Sequence, residues 1–300
     1  MKLATSTGDF GSYVRDQFGA IELNAQAGFR YVDYSFHTDY CHKNGIFGGN
    51  FQQYIDDIKC HAEKHGVTFV QSHGPCGKPF VYGWDELTEA TILSVKACAE
   101  LGIKNLVVHS GYNYGLSKDE SIEKNKQFYM PILHAAEQYG VCILTENYNP
   151  MTSKDRFWID NAKDQLMLIE YVDHPLFHAC WDTGHANMQD IPQDESLRIL
   201  GSHVRGLHVH DNFKDDDMHW APYFGIMNYD ELMHGLLDIG YQGYFTFEAN
   251  FFHETYLRPK RKYEADTRLV RPNLSVRKKA EELLYEIGKN ILTAYDCFEE

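Results

Sequence analysis

Eight short runs of β-branched and aromatic residues alternate along this chain with longer segments of helical period. Several of these runs are apolar throughout, as at residues 106–108, which is typical of parallel strands buried on both faces. Eight β–α units joined by short turns predict an α/β fold, a closed (β/α)8 barrel. The predicted strands are residues 3–6, 30–35, 68–72, 105–109, 142–147, 178–182, 206–210 and 244–249.

The segments between these runs have the pattern of amphipathic helices. Apolar side chains recur at helical spacing at Phe51, Tyr54 and Ile58. Ser117 and Glu120 have the spacing of a capping box, so we expect a helix to begin there, after the fourth strand.

A doubly wound open sheet is the alternative fold for the same alternation. A Gly-x-Gly-x-x-Gly motif does not follow the first strand, and this favours the barrel. The chain has no linker rich in Gly, Pro and Ser, so we expect a single domain over residues 1–300. Two long connections, 213–228 and 250–273, follow predicted strands at the face where barrel enzymes carry their active sites.

Charge and composition exclude several classes of protein. The formal net charge of −15 argues against nonspecific binding to the phosphate backbone of nucleic acids. No run approaches the roughly 20 apolar residues of a membrane helix, and the first residues lack the apolar core of a signal peptide. The 7 cysteines form no Cys-x-x-Cys pair and no disulfide framework. We therefore expect a cytoplasmic protein with reduced thiols and no membrane partner.

Polar side chains lie at or within two residues of the ends of six of the eight predicted strands, at intervals of 26 to 40 residues. In a closed barrel these side chains lie at a similar height and converge on one volume. Three imidazoles and three carboxylates at such close quarters require a compensating cation. Oxygen and imidazole donors without thiolate suit Mn²⁺, Mg²⁺ or Co²⁺, with Zn²⁺ as an alternative. The six residues are His73, His109, Glu146, Asp182, His208 and Glu248.

Further ionisable residues follow the sixth and seventh strands. His185 lies one helical turn beyond Asp182, where it could orient a ligand or contact substrate. His210, Asp217 and His219 have two interpretations, either a place over the metal or a solvated loop that at most supports the ligands.

At these residues the chain resembles the xylose isomerase-like TIM barrel superfamily, over about residues 28–252. The most specific matches are Glu146, the stretch from Asp182 to His185, His208 three residues before Asp211, and Glu248. The group includes sugar and sugar phosphate isomerases, ketose 3-epimerases and, more distantly, endonuclease IV. In its epimerase-like members the matching residues hold one divalent metal ion. The resemblance therefore implies Glu146, Asp182, His208 and Glu248 as metal ligands, with Mn²⁺ as the first choice.

The function implied is that of a metal-dependent sugar or sugar phosphate isomerase or epimerase. A proton is removed next to a carbonyl, and the metal stabilises the resulting enediolate. Glu146 and Glu248 are the predicted catalytic acid–base pair. The predicted substrate-binding residues are His73, His109, His185, Lys214, His219 and Trp220. Lys214 is the nearest basic residue to a position where ketose epimerases commonly have Arg, and this difference leaves the sugar undefined.

Three alternatives stay open. A dehydratase or a C-glycoside-cleaving lyase would begin from the same enediolate. A zinc phosphodiesterase similar to endonuclease IV would use His73, His109, Asp217 and His219 as further ligands, but the acidic charge disfavours a nucleic acid partner. A non-catalytic sugar-binding protein is the third alternative. We expect a small-molecule sugar as the partner, and a homo-oligomer is consistent with the many aromatic residues of the loops.

Overall fold

The computed structural model describes residues 1–150, 159–189, 191–252 and 271–300. Eight parallel strands form one sheet in the order β7-β6-β5-β4-β3-β2-β1-β8. A parallel bridge between Val209 and Phe247 joins the two ends of the sheet, with the Val209 N–H donating to the Thr246 carbonyl at 2.8 Å. The predicted α/β barrel is confirmed. The strands are β1 (Lys2–Ser6), β2 (Tyr31–Ser35), β3 (Thr68–His73), β4 (Asn105–Val107), β5 (Cys142–Glu146), β6 (Phe177–Asp182), β7 (Val204–His208) and β8 (Tyr244–Phe247).

Helices surround this barrel and connect its strands. The capping box is confirmed, since Ser117 accepts from the Glu120 N–H and the Glu120 carboxylate accepts from the Ser117 N–H. In the described part of the chain, no helix combines the length and apolar character needed to cross a bilayer. The helices are α1 (Gln17–Gln26), α2 (Phe36–His42), α3 (Phe51–His65), α4 (Trp84–Leu101), α5 (Lys118–Tyr139), α6 (Ala162–Val172), α7 (Thr183–Asn187), α8 (Gln193–Leu200), α9 (Tyr229–Asp238) and α10 (Leu274–Ala294).

The predicted strands coincide with the observed ones to within two residues at each end. β4 is shorter than predicted and ends at Val107, although the Val108 N–H still donates to the Leu144 carbonyl at 2.8 Å. β7 begins two residues earlier than predicted and ends at His208. Of the two predicted long loops, 213–228 lies within the described residues, whereas residues 253–270 of the second loop lie outside them.

The interior of the barrel contains a polar layer just below its carboxyl-terminal mouth. Gln71 of β3 reaches across to the Leu207 carbonyl of β7 at 3.2 Å, and it donates to Asp33 of β2 at 2.7 Å. A Cβ atom at position 206 would overlap the Gln71 side chain and press on Leu144. Gly206 therefore makes room for the Gln71–Asp33 pair inside the barrel.

A second buried carboxyl lies outside the barrel, on α2. Asp39 accepts from the Tyr34 hydroxyl at 2.8 Å and from the Gln17 amide at 3.1 Å. Burial raises the pKa of Asp39 to about 6, and these hydrogen bonds oppose the rise only in part.

The pKa of Asp39 predicts how the stability of the protein varies with pH. Its pKa is higher in the folded state than in the unfolded state, so the unfolded chain loses this proton first as the pH rises from about 4 to 6. The Asp39 contribution to the free energy of unfolding therefore falls by about 3 kcal/mol across that window. In the Asp39→Asn variant this decrease is absent, as urea unfolding at pH 4, 5, 6 and 7 would measure.

The exposed Asp57→Asn variant is the matched control, and it should follow the wild-type pH dependence. An unchanged pH dependence in Asp39→Asn would contradict the assignment of this effect to Asp39.

Candidate functional site

Four of the predicted ligands meet at the carboxyl-terminal mouth of the barrel. Glu146, Asp182 and His208 end β5, β6 and β7, and Glu248 follows β8. One donor atom from each residue lies within 4.8 Å of the others. Glu146, Asp182 and His208 are buried, whereas Glu248 is partly exposed. These four residues are called the mouth cluster below.

His208 is held between two layers of the barrel. Its Nδ1 lies 2.7 Å from Glu146 Oε1 and 3.5 Å from Glu248 Oε2. Its Nε2 lies 3.3 Å from Asp33 Oδ2 in the polar layer below. A proton on Nε2 would hydrogen-bond Asp33 and leave the Nδ1 lone pair facing the mouth cluster, the arrangement that a metal-ligating histidine needs.

Asp182 has two roles at the end of β6. Its carboxylate caps α7 by accepting from the His185 N–H at 2.7 Å. It also lies 3.0 Å from His210 Nε2. A Cβ atom at position 184 would overlap the His210 ring, so only glycine fits in this turn. The local sequence Asp182-Thr-Gly-His185 therefore fixes the direction of the Asp182 carboxylate.

Two carboxylates of the mouth cluster, those of Glu146 and Asp182, favour the ionised form in spite of their burial. Burial opposes ionisation of Glu146, but His208 and His109 outweigh it and lower the pKa of Glu146 well below its usual value. Burial likewise opposes ionisation of Asp182, and His185 and His210 lower its pKa. Imidazoles thus balance the negative charge, and a divalent cation could take over this role because it needs deprotonated ligands.

A second group of possible ligands lies beside the mouth cluster. His185, His210, Asp217 and His219 bring donor atoms within 4.8 Å of one another. Asp217 Oδ2 lies 3.0 Å from His185 Nε2, and Asp217 Oδ1 lies 3.4 Å from His219 Nε2. Burial lowers the pKa of His185, but Asp182 and Asp217 dominate and raise it to about 10. Asp217 and His219, from the predicted loop 213–228, are therefore packed against the site.

The remaining predicted histidines line the other side of Glu146. His109 Nε2 lies 2.8 Å from Glu146 Oε2, and His73 Nε2 lies 3.2 Å from His109 Nε2. Cys76 Sγ lies 3.8 Å from His73 Nδ1 and 3.7 Å from His109 Nδ1. The sequence reasoning missed Cys76 because it considered cysteines only at strand ends. Its position three residues after His73 was the available signal.

An open cleft of about 1000 Å³ lies above the mouth cluster. Glu248, His109 and His219 contribute to its walls, so these three predicted residues are accessible from solvent. Glu146 and Asp182 lie beneath them. The accessible residues can contact a bound molecule while the buried ones hold a cation below it.

The sequence model of the family described as xylose isomerase-like TIM barrel matches residues 21–272. This chain belongs to the xylose isomerase-like TIM barrel family. The family resemblance predicted from the sequence is therefore confirmed.

Relatives and a solved structure agree with this family. The chain is 32% identical over 113 residues to the fructoselysine 3-epimerase of Escherichia coli O157:H7, which covers 38% of this chain and 40% of that protein. It is 25% identical over 236 residues to the 2-oxo-tetronate isomerase of Haemophilus influenzae, and this match covers 74% of this chain and 83% of that protein. The D-psicose 3-epimerase of Clostridium cellulolyticum H10, crystallised with D-tagatose, matches with a TM-score of 0.75 at 18% identity, over 97% of this chain and 99% of that one. The match to the fructoselysine 3-epimerase thus spans less than half of that protein. The similarity to the D-psicose 3-epimerase structure, at 18% identity, shows a shared fold alone.

Of the predicted substrate-binding residues in this xylose isomerase-like barrel, Lys214 lies in other surroundings and Trp220 is held by its backbone. Lys214 lines a separate cleft of about 270 Å³ together with Gln193 and Glu231. The backbone of Trp220 pairs with Asp211, through hydrogen bonds of 2.7 and 2.9 Å. The role of both residues in substrate binding stays a prediction.

Asp33 and Asn147 support the mouth cluster and were not singled out from the sequence. Asn147 accepts from the Asp182 N–H at 2.7 Å and donates to the Asp182 carbonyl at 2.9 Å. Asp33 lies two residues before the end of β2, in the inward register. A carboxylate in the middle of a strand, flanked by Val32 and Tyr34, was the signal that could have identified it.

Asp33→Asn tests the support of His208. An amide cannot hold the Nε2 proton as a carboxylate does, so we expect the affinity of the protein for Mn²⁺ to fall by about 10- to 100-fold. Isothermal titration calorimetry of metal-free protein with Mn²⁺ would measure this affinity. Asp39→Asn, another buried Asp-to-Asn change away from the site, should keep the wild-type affinity. Equal Mn²⁺ affinity in Asp33→Asn and wild type would contradict the role of Asp33.

Proposed function

We propose that the protein is a divalent-metal-dependent isomerase or epimerase of a sugar. The observation that carries this proposal is the mouth cluster, in which three carboxylates and one imidazole converge below an open cleft. The family membership supports it, as do a relative named as a 3-epimerase and another named as an isomerase.

The chemistry of the donor set fits one divalent ion. Glu146, Asp182, His208 and Glu248 offer hard oxygen donors and one imidazole, a set suited to Mn²⁺, Mg²⁺ or Co²⁺ and acceptable to Zn²⁺. When bound, such an ion polarises a substrate carbonyl and so acidifies the neighbouring C–H bond. Mn²⁺ as the physiological ion, a cytoplasmic location and a homo-oligomeric state stay predictions of the sequence.

The two glutamates are suited to proton transfer at carbon. Glu248 is partly exposed and lines the cleft, so its carboxylate can take a proton from a substrate above it. Glu146 Oε2 lies 2.8 Å from His109 Nε2, so the His109 ring can donate to this carboxylate, which favours its ionised form and fixes its direction. In this proposal the reacting carbon lies between Glu248 in the cleft and Glu146 beneath it, so that removal of the proton by one glutamate and its return by the other inverts that carbon.

Histidines around the glutamates can stabilise the charge that develops on the substrate oxygen. His109 lines the cleft and lies beside Glu146, so its ring can donate a hydrogen bond to that oxygen. His185 is buried and paired with Asp217, which keeps it protonated next to the site.

Dehydration and C-glycoside cleavage begin with the same proton removal and are alternative outcomes of this chemistry.

A second candidate function is a multi-metal phosphodiesterase of the endonuclease IV kind. The group of His185, His210, Asp217 and His219 favours it, because this group could hold a further cation next to the mouth cluster. The net charge of −15 argues against it, since a nuclease must attract a polyanion.

Glu146→Gln and Glu248→Gln test the proposed function. Each change removes a proton acceptor, so we expect the rate of deuterium uptake from solvent into a ketose to fall by about 10²- to 10⁴-fold. Mass spectrometry of the recovered sugar measures this exchange, and the metal content of each variant is determined in parallel.

Glu63→Gln, on the exposed face of α3, is the control and should exchange at the wild-type rate. Full exchange in both cluster variants would refute the assigned roles. Zinc-dependent cleavage of an abasic-site duplex by a wild-type protein that exchanges no sugar would favour the second candidate.

A further inference from the structure

The cleft extends well beyond the mouth cluster. The cluster belongs to β5 through β8, whereas much of the cleft lies over the loops that follow β1 and β2. Its volume of about 1000 Å³ is several times that of a six-carbon sugar. A sugar that reacts at Glu146 and Glu248 would therefore leave this side of the cleft open. This region is called the arm, and the described side chains that line it are Ser6, Asp9, Ser12, Ser35, His37 and Thr38.

The walls of the arm carry oxygen atoms suited to hydroxyl groups. The Ser6 hydroxyl accepts from the Gly8 N–H at 3.0 Å, and a hydroxyl group can also donate. Ser35 Oγ lies 3.0 Å from Thr38 Oγ1, and Ser12 is exposed at the mouth of the arm. Hydroxyl side chains both donate and accept, as the hydroxyls of a sugar do.

The last helix, α10, packs against the segment that carries the arm residues. Thr5 donates to Glu281 of α10 at 2.6 Å, and its hydroxyl lies 3.3 Å from Asp9. Glu281 pairs with Arg277 at 2.8 Å, and the Arg277 guanidinium lies 4.8 Å from the centre of the Phe10 ring. Thr5, Glu281, Arg277 and Phe10 are all buried. The turn that carries Asp9 is thus fixed in place, so binding there costs little ordering.

Charge selects among the groups that could occupy the arm. Burial and Glu281 raise the pKa of Asp9, so its carboxyl group can carry a proton and donate it to a hydroxyl. The described residues that line the arm include no lysine or arginine, so a phosphate group would find no cationic partner there, and Glu248 lies at its inner end. Lys78, which also lines the cleft, comes from the loop after β3 rather than from the arm. A neutral, hydroxyl-rich group needs no cationic partner.

We propose that the arm binds a second, uncharged sugar unit, so that the substrate is a ketose carrying a glycosyl group rather than a free or phosphorylated monosaccharide. This inference rests on the proposed function, since it places the reacting ketose at the mouth cluster. The second unit contributes binding energy away from the reacting carbon.

Binding and exchange together test this inference in the Mn²⁺-loaded protein. The probes are D-fructose, D-fructose 6-phosphate and isomaltulose, which is fructose with a glucosyl unit on O6 and a free keto group. Calorimetry should give a Kd for isomaltulose roughly tenfold or more below that for D-fructose, a gain of one decade in affinity. In Ser12→Trp, where the indole fills the arm, the two Kd values should agree within about twofold.

Ser202→Trp is the matched control, because Ser202 is exposed at the amino-terminal end of β7, on the opposite face of the barrel. It should keep the wild-type preference for isomaltulose. Equal Kd values for isomaltulose and D-fructose in the wild type, tighter binding of fructose 6-phosphate than of isomaltulose, or an unchanged preference in Ser12→Trp would each overturn the inference.

Deuterium uptake into the same probes separates this inference from the proposed function. Exchange into D-fructose without a preference for isomaltulose would retain the isomerase or epimerase and reject the arm as a sugar site. A preference for isomaltulose in binding that Ser12→Trp abolishes, with no exchange into any probe, would support the arm and reject the proposed reaction.

Discussion

The concentration of like charge at the mouth of the barrel is the constraint on which the rest of this structure depends. Parallel strands end at one face, and β5, β6 and β7 are neighbours in the sheet, so the side chains at their ends lie close together. Burial makes an isolated carboxylate very costly, and Glu146 and Asp182 are both buried. Their charge is balanced by imidazoles on neighbouring strands and loops, and the same arrangement suits a divalent cation.

The interior of the barrel supports this mouth at the expense of apolar packing. Gly206 contributes no side chain, and Gln71 fills the space and holds Asp33 below His208. A fully apolar layer would bury more apolar surface, but it would leave the Nε2 of His208 without a partner. The polar layer is therefore best understood as a device that fixes the direction of one imidazole, in keeping with the partners that metal-ligating histidines require.

Much of the fold and part of the candidate site could be predicted from the sequence. Side chains on parallel strands alternate with a period of two, so the residue that ends each strand can be identified once the runs are recognised. Glu146, Asp182, His208 and Glu248 were all found in this way, although β8 itself ends one residue before Glu248. The need for glycine at position 184 could not be predicted from the sequence. A Cβ atom there would overlap the His210 ring, and that contact depends on how the segments after β6 and β7 pack.

Other parts depend on contacts between residues that are distant in sequence. Asp33 and His208 are separated by 175 residues and meet only because the barrel closes. The bracing of Thr5 by Glu281 spans 276 residues and likewise has no local signal. Lys214 was chosen for its charge and its place after the seventh strand, but the direction of a long loop is not encoded in residue spacing.

The position of the bound metal tests the central claim most directly. Crystals of the protein grown with Mn²⁺ and measured on the high-energy side of the manganese absorption edge would show an anomalous peak wherever the ion binds. Our account predicts a peak enclosed by Glu146, Asp182, His208 and Glu248. A map with no peak among these four residues, or with its peak confined to His185, Asp217 and His219, would contradict it.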